Sequence, residues 1–219
     1  MKESLLNKGL TYFWQLFLVG GCLIISNLLL VFLLMTVKLS LETSVFYVIS
    51  LLLFGPSLVP VLSVTRKMVT NQDDLRVIKD YFVYYRQSFK QNFALWSIYI
   101  VALSIICMDI YYVSQVKSIP LLLPVFTLLL VIGLLSLWLS LGIKSYFFIK
   151  NVMAIKLSFY LAFKQPFLAM CIILSMLTLY LFFMLFPQAA IFFGIPLFSL
   201  NLVWLTKKTF SKLALNYVK

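Results

Sequence analysis

Residues 165–206 read QPFLAMCIILSMLTLYLFFMLFPQAAIFFGIPLFSLNLVWLT, a run of 42 positions without a Lys, Arg, Asp or Glu. As a single helix this run would extend about 63 Å at 1.5 Å per residue, twice the roughly 30 Å hydrocarbon core of a bilayer. It therefore reads as two membrane-spanning helices, with Pro187-Gln188 as the break between them.

Outward from that stretch, the gaps Lys8 to Lys38, Glu42 to Arg66 and Lys117 to Lys144 hold 29, 23 and 26 uncharged residues. Each suits one span. Another apolar stretch, from Phe93 to Val113, is interrupted only by Asp109, which lies about 24 Å along the helix and hence near its far interface. The expected fold is all-α: a polytopic membrane protein built as a six-transmembrane-helix bundle. Its spans are 12–36, 44–64, 93–113, 120–142, 167–186 and 189–205, within one membrane domain covering 1–219. Composition agrees, because 63% of the 219 residues are apolar and 11% are charged, against about 25% charged in a soluble domain.

The net charge of +12 would suggest nucleic acid in a soluble chain, but beside membrane spans it marks cytoplasmic loops and anionic lipid headgroups. With six spans and an inside N-terminus, only Lys38 and Lys117 of the 18 Lys and Arg residues fall outside. Both termini are thus expected in the cytoplasm. The first apolar stretch exceeds a signal-peptide core and no small-residue cleavage site follows it, so it is expected to be retained.

Two inner segments carry the basic charge, 66–92 and 144–165. In the first, Leu75, Ile78, Phe82, Tyr85 and Phe89 recur at helical spacing, with Arg76, Lys79, Asp80, Arg86 and Lys90 elsewhere on the wheel. This predicts an amphipathic cytoplasmic helix between spans 2 and 3, capped by Asn71 or Asp73, with Asp73 and Asp74 at the positive end of its dipole. It is expected to lie on the inner membrane surface, its aromatic face toward lipid or a partner. The second segment, with four lysines and no acid, is expected to continue as helix from the neighbouring spans. Both end on one string, Phe89-Lys90-Gln91-Asn92-Phe93 and Phe163-Lys164-Gln165-Pro166-Phe167, 74 positions apart. The repeat is read either as an internal duplication docking a common partner or as convergent anchoring of Lys and Phe at headgroups. Arg66, Lys67, Arg76, Lys79, Tyr85, Arg86, Phe89, Lys90, Phe163 and Lys164 are the candidate partner and membrane-interface residues.

Inside the spans, Asp109 is either solvated at the interface or paired with Lys117, or else it serves proton coupling or substrate binding. Gly55, Pro56 and Pro60 mark the second span as kinked, and carbonyls freed by proline bind ions in some transporters. Ser26, Asn27 and Asn201 are expected to hydrogen-bond between helices. Cys22, Cys107 and Cys171 lie in apolar runs without metal or disulfide spacing, and histidine is absent. With no P-loop, HExxH, GxSxG or paired intramembrane carboxylates, no catalytic residue, cofactor or metal site is expected.

The string Phe54-Gly55-Pro56-Ser57-Leu58-Val59-Pro60 with Thr65-Arg66-Lys67, followed by Tyr84 to Phe93, resembles the YesL-like family of bacterial integral membrane proteins. The resemblance is clearest from Gly55 to Asn92, and the length and span layout fit it. It implies a bacterial cell membrane, association with carbohydrate ABC importers and a function not yet defined for the family. The chain lacks the Glu-Ala-Ala loop by which ABC permeases contact their ATPase. The function expected is therefore a non-catalytic accessory subunit binding the transmembrane core of an oligosaccharide ABC importer. The alternatives are a small autonomous secondary transporter working through Asp109 and the Gly55-Pro56 kink, and a scaffold or regulator bound to anionic lipid.

Overall fold

The computed structural model describes the chain apart from residues 1–4, 39, 41, 71–74, 116–121, 187–188 and 218–219. The described residues form helices and no strand. In chain order they are α1 (Leu5–Ser26), α2 (Leu28–Thr36), α3 (Ser44–Val69), α4 (Val77–Gln115), α5 (Leu122–Tyr146), α6 (Asn151–Lys164), α7 (Pro166–Leu185), a π-helical turn (Ala190–Gly194) and α8 (Ile195–Tyr217). Five helices, α1, α3, α4, α5 and α7, are long and apolar enough to cross a membrane. The expected cap residues Asn71, Asp73 and Asp74, the Lys117 partner of Asp109 and the Pro187-Gln188 break lie outside the described residues.

Helix α3 organises the bundle. Its first half, from Val45 to Leu53, turns large apolar side chains outward, whereas Gly55 to Thr65 are all buried. A segment enclosed on every side can be apolar all round, and this one carries only hydroxyls as polar side chains. Helices α1, α2, α4, α5 and α8 all pack against α3. Pro56 and Pro60 sit inside it without ending it.

The closest approach is made by α4 at Gly55, where a β-carbon would fall inside the Trp96 indole ring. The indole N–H donates to the Leu51 carbonyl at 2.9 Å, and Phe54 meets the ring edge-on. A second close approach sets Gly20 of α1 against the Phe192 carbonyl of the π-turn.

Helix boundaries depart from the sequence reading at four places. The first expected span, 12–36, is divided at Asn27, which leaves helical geometry while its side chain donates to the Leu23 carbonyl and to Ser57 Oγ at 2.8 and 2.9 Å. The expected surface helix between spans 2 and 3 is not separate. It is the first part of α4, whose 39 residues run about 58 Å, well beyond one bilayer core. Residues 77–115 contain neither Gly nor Pro, so nothing stops the helix near position 90. Its buried line is also displaced, passing through Val77, Tyr81, Asn92, Leu95, Trp96 and Tyr99, with Ile78 exposed.

The segment 144–165, expected to continue its neighbours, is instead a helix of its own. It is cut off from α5 by the non-helical residues 147–150 and from α7 at Gln165. Pro166 biases the residue before it out of helical geometry and then suits the first position of α7. In α6 the buried residues Ala154, Leu157, Ser158 and Leu161 follow helical spacing, while Val152, Met153, Phe159 and Phe163 stay exposed beside Lys156 and Lys164. Finally, the helix begun at Ile195 continues past Lys207, Lys208 and Lys212 to Tyr217.

Gly55→Ala is expected to destabilise the protein by about 1–3 kcal/mol through overpacking against Trp96. Thermal unfolding in detergent checks this, and the double variant Gly55→Ala/Trp96→Leu should recover part of the loss.

Candidate functional site

The polar side chains gather at the bundle end where α3 finishes and α5 gives way to α6. Lys67 Nζ lies 3.0 Å from Asp80 Oδ2 and 5.2 Å from the Tyr84 ring centroid, clamping the end of α3 to the start of α4. Arg66, one position earlier, turns to the other side, its guanidinium 5.0 Å from the centroid of Tyr146 on α5. Lys207 of α8 donates to the Val69 carbonyl at 3.2 Å and Thr209 to Gln165 Oε1 at 2.9 Å, bringing α8 and the α6/α7 junction to the same end.

Lys144 lies within this end and is only 8% exposed. A buried ammonium needs compensation. Here it comes from neutral amides: Nζ donates to Asn151 Oδ1 at 2.6 Å and reaches Gln91 Oε1 at 3.4 Å, while Asn151 Nδ2 donates to the Gln91 carbonyl at 3.0 Å. Ser88 and Asn92 extend the group on α4, with Asn92 Nδ2 donating to Ser88 Oγ at 2.7 Å. Asn92 Oδ1 and Tyr146 Oη are buried without a hydrogen-bond partner. A chamber of about 30 Å³ opens beside them, lined by Ser63, Arg66, Tyr84, Ser88, Lys144, Ser145 and Tyr146 as its polar groups. None of its described lining residues is acidic.

Deeper in the bundle, three hydroxyls close on one another. Tyr99 and Ser136 are 2.7 Å apart, Ser136 and Ser158 2.7 Å, and Tyr99 and Ser158 3.4 Å, joining α4, α5 and α6. Hydroxyls are both donors and acceptors, so they can satisfy one another in this way, and Ser158 also donates to the Ile155 carbonyl at 2.7 Å.

The structure separates the residues singled out in the sequence. Arg66 and Lys67 belong to the basic end described above. Arg76, Lys79, Arg86 and Lys90 are exposed, and Tyr85 and Phe89 are half-buried in an aromatic row in which Tyr85 stacks on Tyr81 and meets Phe89 edge-on. Phe163 is exposed, and Lys164 Nζ lies 2.6 Å from Tyr160 Oη. Asp109 is half-buried in the far part of α4. Gly55, Pro56 and Pro60 are buried in α3, where Gly55 accommodates Trp96. Of the expected interhelical residues, Asn27 bonds across to Ser57, Ser26 donates to the Cys22 carbonyl of its own helix and also meets the Tyr81 hydroxyl of α4, and Asn201 lines a cleft between α7 and α8.

The two Phe-Lys-Gln strings occupy different settings. Gln91 is mid-helix and serves Lys144, whereas Gln165 stands at a helix break and accepts from Thr209. The difference follows from Asn92 in one string and Pro166 in the other. Sequence reasoning missed Lys144 as a site residue. Its signal was the spacing of Ser136, Ser140 and Lys144, four residues apart on one face of an otherwise apolar helix.

A bundle with several helices able to cross a bilayer, apolar side chains outside and bonded polar groups inside, is a multi-pass membrane protein. Residues 10–110 match the family model described as protein of unknown function, DUF624, a region that includes the whole of Gly55 to Asn92. That match is consistent with the YesL-like resemblance, which it does not name. No curated protein and no solved structure matches the chain.

Tyr99→Phe removes the phenol from the hydroxyl cluster and is expected to cost about 0.6–1.7 kcal/mol, the range of interhelical hydrogen bonds in membranes. Ser136→Val should cost a similar amount in detergent unfolding, and the double variant should cost less than the sum, because both disrupt one network.

Proposed function

We propose that the chain is a non-catalytic integral membrane subunit that acts by binding neighbours in the bilayer, and that its neighbour is the transmembrane core of a carbohydrate ABC importer in the bacterial plasma membrane. The observation that carries this reading is the distribution of polar and apolar groups. Inside, Tyr99, Ser136 and Ser158 bond to one another, with Ser158 also donating to the Ile155 carbonyl, while the outward sides of α2, α4 and α7 present large apolar residues such as Phe32, Ile105 and Met170. The larger recesses, of about 870 and 370 Å³, are clefts between helices: the first borders α1 and α8, the second α7 and α8. Such a surface is matched to lipid, and the clefts between helices offer a neighbouring helix the close fit on which association in lipid depends. The choice of partner rests on the YesL-like resemblance.

In this reading the chain crosses the membrane six times, with its basic end and both termini in the cytoplasm. Two features support a sixth crossing. The path from Ala189 to Thr206 is helical and uncharged over about 27 Å, counting the π-turn as helix, and the lysines that follow sit at the same end as Arg66 and Lys144. Basic residues collected at one end of a bundle are retained on the cytosolic side.

Affinity purification of the tagged full chain in mild detergent is expected to bring down permease and ATPase subunits of a carbohydrate importer; their absence would refute the partner assignment. A cysteine placed at position 80 in a cysteine-free background should react with a membrane-impermeant maleimide only after the cytosolic face is opened. Labelling from the exterior would reverse the orientation.

A further inference from the structure

The geometry points to an oxyanion-binding site of the phosphate class in the chamber between α3, α4 and α5, where Arg66 and Lys144 face a shared cavity and Tyr146 Oη awaits a partner. This goes beyond the proposed role as a subunit and does not depend on it.

Four observations converge. First, two cations line one enclosed space and no described lining residue is acidic, whereas the neighbouring Lys67 is already paired with Asp80. Second, Lys144 is more than nine-tenths buried and is met only by amide oxygens, which orient the ammonium but leave its charge uncancelled. Third, the Tyr146 hydroxyl is buried without a partner and has a proton to donate to an anion, while Ser63, Ser88 and Ser145, each donating to a carbonyl of its own helix, line the space without adding negative charge. Fourth, a guanidinium presents donors in a fixed fork suited to the oxygens of phosphate or carboxylate, and an ammonium supplies a point charge beside it.

Size narrows the ligand. A cavity needs about 10–15 Å³ to hold one water-sized group, so the volume of about 30 Å³ takes about two such groups, enough for the oxygens on one side of a phosphate at the open rim and too little for a sugar ring or a nucleoside. Phe148, at the rim, is 82% exposed, so the chamber lies against the outside of the bundle rather than at its centre. Two sources supply this chemistry: free inorganic phosphate, and the phosphodiester of a phospholipid whose tails remain in the bilayer.

The test uses the full chain in detergent with two probes. Binding of radiolabelled inorganic phosphate is measured by equilibrium dialysis, and retention of dioleoyl phosphatidylglycerol against dioleoyl phosphatidylcholine by native mass spectrometry. At least one probe is expected to bind at one per chain, and Arg66→Gln/Lys144→Met should weaken that binding by about tenfold or more. Tyr146→Phe should weaken it by a few-fold, while Lys79→Gln and Lys90→Gln, on the exposed side of α4, should leave it unchanged. Lys144→Met keeps the volume and removes a buried charge, a change that cores tolerate. If the double variant does not fold, Arg66→Gln and Tyr146→Phe singly carry the test. Phosphate alone binding assigns the site to the free ion, and selective retention of phosphatidylglycerol assigns it to a headgroup. Binding of neither probe, or binding undiminished in the variants, overturns the proposal.

Discussion

The enclosure of Gly55 to Thr65 is the constraint on which the rest of the bundle depends. A helix surrounded by α1, α4, α5 and α8 leaves no lipid-facing side in that half, so each neighbour must fit against it at a fixed height. Gly55 sets the height of α4 by admitting the Trp96 ring, and Ser57 sets that of α1 by accepting from Asn27. Without hydrophobic pressure between helices in lipid, close fit and interhelical hydrogen bonds supply the cohesion. Both are concentrated on this one helix.

From that arrangement follows the character of the basic end. Because α4 begins beside the end of α3 and runs back along it, Asp80 and Tyr84 reach Lys67, while Ser88 and Gln91 come level with Lys144. Lys144 is thereby drawn into the bundle instead of reaching out to headgroups, as a lysine at the end of a span ordinarily does. The cost of that burial is met by Asn151, the first residue of α6, so the break after α5 serves a purpose: it puts an amide where the ammonium needs one.

The helical membrane class was legible because charge-free gaps map directly onto bilayer thickness, and spans such as 44–64 and 167–186 lie close to α3 and α7. The course of α4 was not read correctly, because amphipathic spacing over 75–89 drew attention to a face, while the decisive property was the absence of any breaker up to Gln115. Pro166 gave a visible stop for α6, but the gap around Phe148 has no Gly or Pro to announce it, and the residues on either side of it, Tyr146 and Asn151, are held by contacts with Phe210 and Gln91 that lie far away in sequence. Of the candidate residues, Arg66 and Lys67 came from charge at a span end. Lys144 was counted only as a loop cation, since burial depends on which helices surround a position and periodicity in one helix does not reveal that.

Helix α6 has a broader consequence. Helix ends on both sides free it to turn back along α5, where its Ser158 closes the hydroxyl cluster with Ser136 and Tyr99. A short strut of this kind locks two long helices together from the side: were Pro166 replaced and α6 fused to α7, the strut would have to rotate and the cluster would lose its third hydroxyl.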